Sequence, residues 1–68
     1  MKTDIDLDFI KNKRLELGLS ITEMAKSLGF KDGSSYWRYE NGEYKLKADM
    51  LPKIAEVLNC SIENFFKK

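Results

Sequence analysis

Histidine is absent from this 68-residue chain, and cysteine, proline and tryptophan each occur once. Without histidine the commonest general base and the commonest metal ligand are missing. One cysteine, Cys60, excludes an internal disulfide framework and a cysteine-based zinc site. With no histidine to activate it, Cys60 reads as a small buried hydrophobe. Nowhere does a nucleophile sit with a base, a carboxylate cluster form a metal site, or a glycine-rich loop offer to hold phosphate. Neither catalysis nor a cofactor is expected. No apolar run reaches membrane-spanning length and no signal-peptide-like stretch precedes the first helical pattern, so a cytoplasmic location is the default expectation. Repeats, low-complexity runs and linkers are also missing.

What is present is an ordinary globular composition. Hydrophobic residues make up 43% and charged residues 34%, too apolar for a disordered chain. The length allows one small domain over residues 1–68 with a modest core. Residues 1–5 have little to hold them and are expected to fray. Net charge is only +1, but the charges are unevenly placed. Acids crowd Asp4, Asp6 and Asp8, while basic residues sit at Lys11, Lys13 and Arg14, at Lys31 and Arg38, and at Lys45 and Lys47, an arrangement that can make one basic face on a nearly neutral molecule.

The chain reads as five short helices joined by brief loops. The first starts near Asp6, with Asp4 or Asp6 as cap, and carries Leu7, Ile10, Arg14 and Leu17 on one side. Gly18 ends it. Ser20 and Glu23 form a capping-box pattern for the second helix, which turns Met24, Ala25 and Leu28 inward, with Ile21 near its start. Gly29 allows a turn, Asp32 caps the third helix from about Gly33 to Asn41, and Gly42 ends it. Asp49 is the expected cap of the fourth helix, with Pro52 in its first turn, Leu51, Ile54, Ala55 and Leu58 inside, and Asn59 as terminator. Ser61 is expected to cap a fifth, which carries Ile62, Phe65 and Phe66, with Lys67 and Lys68 at its negative end.

Ser20–Gly42 is the organising stretch. Two short helices about a glycine-containing turn make a helix-turn-helix, whose second helix often enters the DNA major groove. That second helix has two faces. Tyr36, Tyr39 and Glu40 fall at i, i+3, i+4 and point one way. Arg14 and Glu40 are each a charge on an otherwise apolar stripe, and we expect them to pair. Gly33, Ser34, Trp37 and Arg38 lie opposite, where exposed Trp and Arg beside small polar residues suit a contact surface. Arg38 can grip guanine bidentately, and Ser34 can reach base or phosphate. Trp37 either meets a ligand or folds against a neighbour.

These residues resemble the Cro/C1-type helix-turn-helix family of small lambdoid phage repressor and Cro domains. The likeness is carried by IKNKRLELGLS at Ile10–Ser20, EMAKSLG at Glu23–Gly29, YENG at Tyr39–Gly42 and LPKIAEVLNCSIENFF at Leu51–Phe66. It implies a compact all-α, five-helix, lambda-repressor-like domain with the third helix as reader. Family base-reading positions fall on Gly33, Ser34 and Arg38, with Ser35 and Trp37 close by. Phosphate contacts map to the Ile21–Thr22 region, Lys31, Asn41, Tyr44, Lys45 and Lys47. The family also often pairs residues at the positions of Arg14 and Glu40. Three departures stand out. Ile21 replaces a frequent glutamine that contacts phosphate and steadies a reader. The turn is one residue longer, which leaves the register of Gly33 open by one. Gly33 replaces a long polar reader, so specificity is expected to rest on Arg38, Ser34, Trp37 and DNA shape.

The resemblance implies a sequence-specific, double-stranded-DNA-binding transcriptional regulator, a repressor of phage or mobile-element type. It is expected to act as a weak homodimer on a palindromic site, touching its partner through Phe65, Phe66 or the loop before the fourth helix. The alternative is a protein-interaction module on the same fold, an antitoxin-like or anti-repressor partner. Net charge near zero, Ile21, Gly33 and an exposed Trp37 are compatible with it.

Overall fold

A computed structural model of the chain describes residues 5–66. The fold is all-helical: α1 (Leu7–Glu16), α2 (Ile21–Ser27), α3 (Gly33–Glu40) and α4 (Leu51–Leu58), with 3₁₀ turns at Ala48–Met50 and Ile62–Phe65. The fifth helix is therefore a single 3₁₀ turn rather than an α-helix. Ser61 makes no side-chain cap bond to it. Of residues 1–5, expected to fray, only Ile5 is described, and it is bridged to Phe66; residues 1–4, the alternative cap Asp4, and the role of Lys67 and Lys68 lie outside the described residues.

Local signals explain most helix boundaries. The Asp6 carboxylate accepts the Phe9 amide at 3.1 Å and opens α1. At α2 the capping box closes both ways: Ser20 Oγ accepts the Glu23 amide at 3.0 Å, and Glu23 Oε1 accepts the Ser20 amide at 2.9 Å. The Asp32 carboxylate accepts the Ser35 amide and opens α3. Asn59 terminates α4 in the left-handed region at φ 54°. Asp49 does not cap α4. It sits inside the preceding 3₁₀ turn, and Met50 at the cap position makes no side-chain bond. Pro52, in the first turn, needs no amide partner there.

Among the described residues, nine hydrophobic ones form the core: Ile10, Met24, Ala25, Tyr36, Leu51, Ile54, Ala55, Leu58 and Phe65. α4 supplies four of them at i, i+3, i+4, i+7, the stripe its sequence spells out. Burying a side chain such as Ile54 or Leu58 contributes about 1.5–3 kcal/mol. The α1 stripe stops at Arg14. Leu17 lies beyond the helix and is 45% exposed, because the chain reverses at Gly18 (φ 74°) and Leu19 packs on the core instead. Phe65 is fully buried, its ring 6.0 Å from Phe9. An isolated antiparallel bridge joins Ile5 to Phe66, and the Asp6 amide donates to the Phe65 carbonyl at 2.6 Å. The two ends of the described chain thus meet beneath α1.

Candidate nucleic-acid interface

The helix-turn-helix is built by α2, its turn and α3. Gly29 takes φ 89°, a conformation that favours glycine, and the Phe30 amide then bonds back to the Ala25 carbonyl at 2.9 Å. This return drops Phe30 beside α3, with ring centroids 6.4 Å from Tyr36 and 5.7 Å from Tyr39. Tyr39 in turn meets Tyr44 edge-on at 5.3 Å. A row of aromatic rings therefore runs from the buried Tyr36 to the exposed loop after α3. Neither Phe30 nor this row was legible from helical spacing, because Phe30 belongs to a turn.

The buried side of α3 is fixed by charge as well as packing. Arg14 Nε donates to Glu40 Oε2 at 2.9 Å and Nη2 to Glu40 Oε1 at 3.0 Å, a bidentate pair with side chains only 7% and 3% exposed. Arg14 Nη1 also donates to the Leu19 carbonyl at 2.7 Å, tying in the α1–α2 link. The pair inferred from the stripe is present. Beside it, burial and then the Glu40 charge push the Tyr36 phenol well above its ordinary value, so it stays protonated.

The other side of α3 carries Ser34, Trp37 and Arg38, all exposed, with Trp37 at 45%. Trp37 thus faces outward rather than folding into the core. Ser34, Arg38 and the adjacent Asn41 each already have an internal partner. Ser34 Oγ donates to Asp32 Oδ1 at 2.7 Å. That bond, followed by the Ser35 amide, holds the Asp32 carboxyl below its ordinary value. Asn41 Nδ2 donates to the Trp37 carbonyl at 2.9 Å. Arg38 Nη1 lies 3.2 Å from Glu43 Oε1, and its guanidinium carbon lies 5.8 Å from the Tyr44 ring centre. Thr22, Lys31, Tyr44, Lys45 and Lys47 are exposed, and Ser35 is half-buried.

Gly33 has a different part. A Cβ built there would approach Ile21 Cγ2 at 3.1 Å and Thr22 Oγ1 at 3.2 Å. The first turn of α3 lies against the first turn of α2 closely enough that a side chain at Gly33 would require the Ile21 and Thr22 side chains to give by a few tenths of an ångström. Ile21 and Gly33, two separate departures in sequence, are therefore one packing feature. Any contact at Gly33 would come from its backbone.

A cleft of about 250 Å³ lies between the helix-turn-helix and the start of α4, lined by Leu28, Phe30, Tyr39, Lys47, Asp49, Met50 and Lys53. It puts Lys53, a residue the sequence did not single out, on the same cleft as Lys47. Cys60 is half-buried. Its thiol is pushed up by burial, an effect that Lys13 opposes. No group of histidine, cysteine or carboxylate side chains among the described residues could hold a metal ion, and no helix there is long and apolar enough to cross a membrane.

The helix-turn-helix family model matches residues 10–65, from the buried face of α1 to the last 3₁₀ turn. The chain belongs to the Cro/C1-type helix-turn-helix family. Membership explains the two-sided α3 as the second helix of a DNA-binding unit, and the family is one of DNA-binding regulators that are typically non-enzymatic. No curated protein shows a significant match to the chain.

Proposed function

We propose that this protein is a sequence-specific transcriptional repressor of phage or mobile-element type that reads duplex DNA with α3. The observation that carries the reading is the division of α3. Its inner side is clamped by Arg14–Glu40, while Ser34, Trp37 and Arg38 are left outward on a rigid element. In the groove Arg38 would address a guanine edge and Ser34 a base or phosphate. Thr22, Lys31, Asn41, Tyr44, Lys45 and Lys47 would hold phosphates and so set register rather than sequence. Gly33 and Ser35 would add backbone or short-range contacts at the start of α3.

A weak two-fold dimer on a palindromic site fits this reading. Phe65 is unsuited to the dimer contact because it is fully buried. The exposed loop between α3 and α4 is the better surface. Selection of bound duplexes from a random pool tests the proposal. A recovered palindromic motif, with binding that weakens steeply as salt rises, is the expected result. Salt-independent binding to a protein and none to DNA would instead favour an antitoxin-like or anti-repressor module.

A further inference from the structure

We propose that Glu43 is a specificity-determining residue that restrains Arg38 from phosphate and reserves it for base edges; this rests on the reading of α3 as a DNA-reading helix. Glu43 is an acid in an otherwise basic loop that holds Lys45 and Lys47. Simple attraction to DNA gives no reason for it. Nor does folding stability, since Arg38 and Glu43 side chains are both 48% exposed and an exposed pair contributes little.

The geometry gives the reason. Gly42, at φ 85°, reverses the chain at the end of α3. The amides of Glu43 and Tyr44 then both donate to the Arg38 carbonyl, at 2.9 and 3.3 Å. The backbone itself therefore brings the Glu43 carboxylate back over the last turn, to 3.2 Å from Arg38 Nη1. Tyr44, seated against Tyr39 and through it against Phe30, lies beside the same guanidinium. Glu43 occupies one guanidinium nitrogen. Arginine has five N–H donors in a planar fork, so others remain free for an acceptor.

The two acceptors that DNA offers differ in charge. A phosphate reaching Arg38 brings a full negative charge towards the Glu43 carboxylate, and like charges at short range repel. The O6 and N7 atoms of guanine carry no net charge, so a base edge meets a smaller penalty. Glu43 thus weakens Arg38 contacts that any sequence can make more than the contact that one base pair can make. Specificity arises from a repulsive element as much as from an attractive one.

The test measures affinity of the full chain for a duplex selected from a random pool and for an unrelated duplex of equal length, across a salt series. Wild type, Glu43→Gln, Arg38→Ala and the double variant are compared. Glu43→Gln should tighten binding to the unrelated duplex by roughly threefold or more, the scale of one charge contact, and to the selected duplex by less. The specificity ratio falls. In the Arg38→Ala background, Glu43→Gln should change both affinities by the same factor and leave the ratio unaltered. An unchanged ratio with Arg38 present, or an equal fall without it, overturns the inference and leaves α3 as reader intact. A wild-type chain that selects no sequence removes the reading on which it rests.

Discussion

Arg14–Glu40 and Arg38–Glu43 are the same chemical pair at the two ends of exposure. The first is bidentate, joined by a third bond to the Leu19 carbonyl, and its side chains are 7% and 3% exposed. The second is a single contact at 3.2 Å between half-exposed groups. Both glutamates belong to α3 or its exit, and each has an arginine at hand. Water decides what each pair does. Inside, neither charge can be hydrated, so each depends on the other and the pair locks α1 to α3. Outside, either partner can exchange the other for solvent or for DNA at small cost. The inner pair sets where α3 lies. The outer pair bears on what α3 touches.

The largest expected effect breaks the inner pair. Arg14→Ala should destabilise the fold by about 3–5 kcal/mol, because Glu40 is left buried and unpaired. For a domain of this size that is a melting temperature lower by more than about 10 °C in thermal denaturation. An unchanged melting temperature would refute the structural role of the pair. Arg38→Ala is the matching break outside. It should cost about 1–3 kcal/mol of specific binding and relax one position of the site. Its effect on stability should stay within about 1 kcal/mol. Equal loss on selected and random duplexes would remove Arg38 as a reader. Next comes Lys47→Ala, which should weaken binding to all sequences alike and lower the salt slope by about one, as read from affinities at several salt concentrations.

The smallest effect sharpens the contrast through pH. Glu23 and Asp32 cap the two helices of the reading unit. Glu23 is held below its ordinary value of 4.5 by the Ser20 amide and then its hydroxyl, and Asp32 below 3.8 by the Ser34 hydroxyl and then the Ser35 amide. A lowered carboxylate value means that the native state favours the ionised form. The stability it contributes is fully present above the ordinary value and is lost as pH falls through the lower, folded value. Thermal stability should therefore decline as pH drops below about 4.5, with a smaller decline in Asp32→Asn. An acid response identical to wild type in that variant would show that the cap at α3 carries no such linkage.

Much of the fold was legible because its signals are local. Ser20 with Glu23, Asp32, Gly18, Gly29, Gly42 and Asn59 act within a few residues of themselves, and each stands where spacing put it. The α4 stripe was readable because its period needs no knowledge of its neighbours. Arg14 and Glu40 were found together, 26 positions apart, because each broke an apolar pattern. Other features depended on distant chain. Leu17 matched the α1 period, but the reversal at Gly18 put Leu19 on the core. Asp49 and Ser61 had the chemistry of caps, yet Asp49 lies inside a 3₁₀ turn and Ser61, at the start of another, makes no side-chain cap bond. At the candidate interface the residues on the outer face of α3 were legible. Their internal partners, Asp32 for Ser34 and Glu43 for Arg38, were not.

The sequence by itself determined the four α-helices, most of their ends, the division of α3 and the absence of histidine chemistry. All of these follow from period, capping and composition. Tertiary structure decided that Gly33 lies close against Ile21 and Thr22, that Phe30 bridges the turn to α3, and that Phe65 is core. It also decided that one Arg–Glu pair is buried and the other is wet. The residue types are identical in both, and only the packing around them sets how much water each charge keeps.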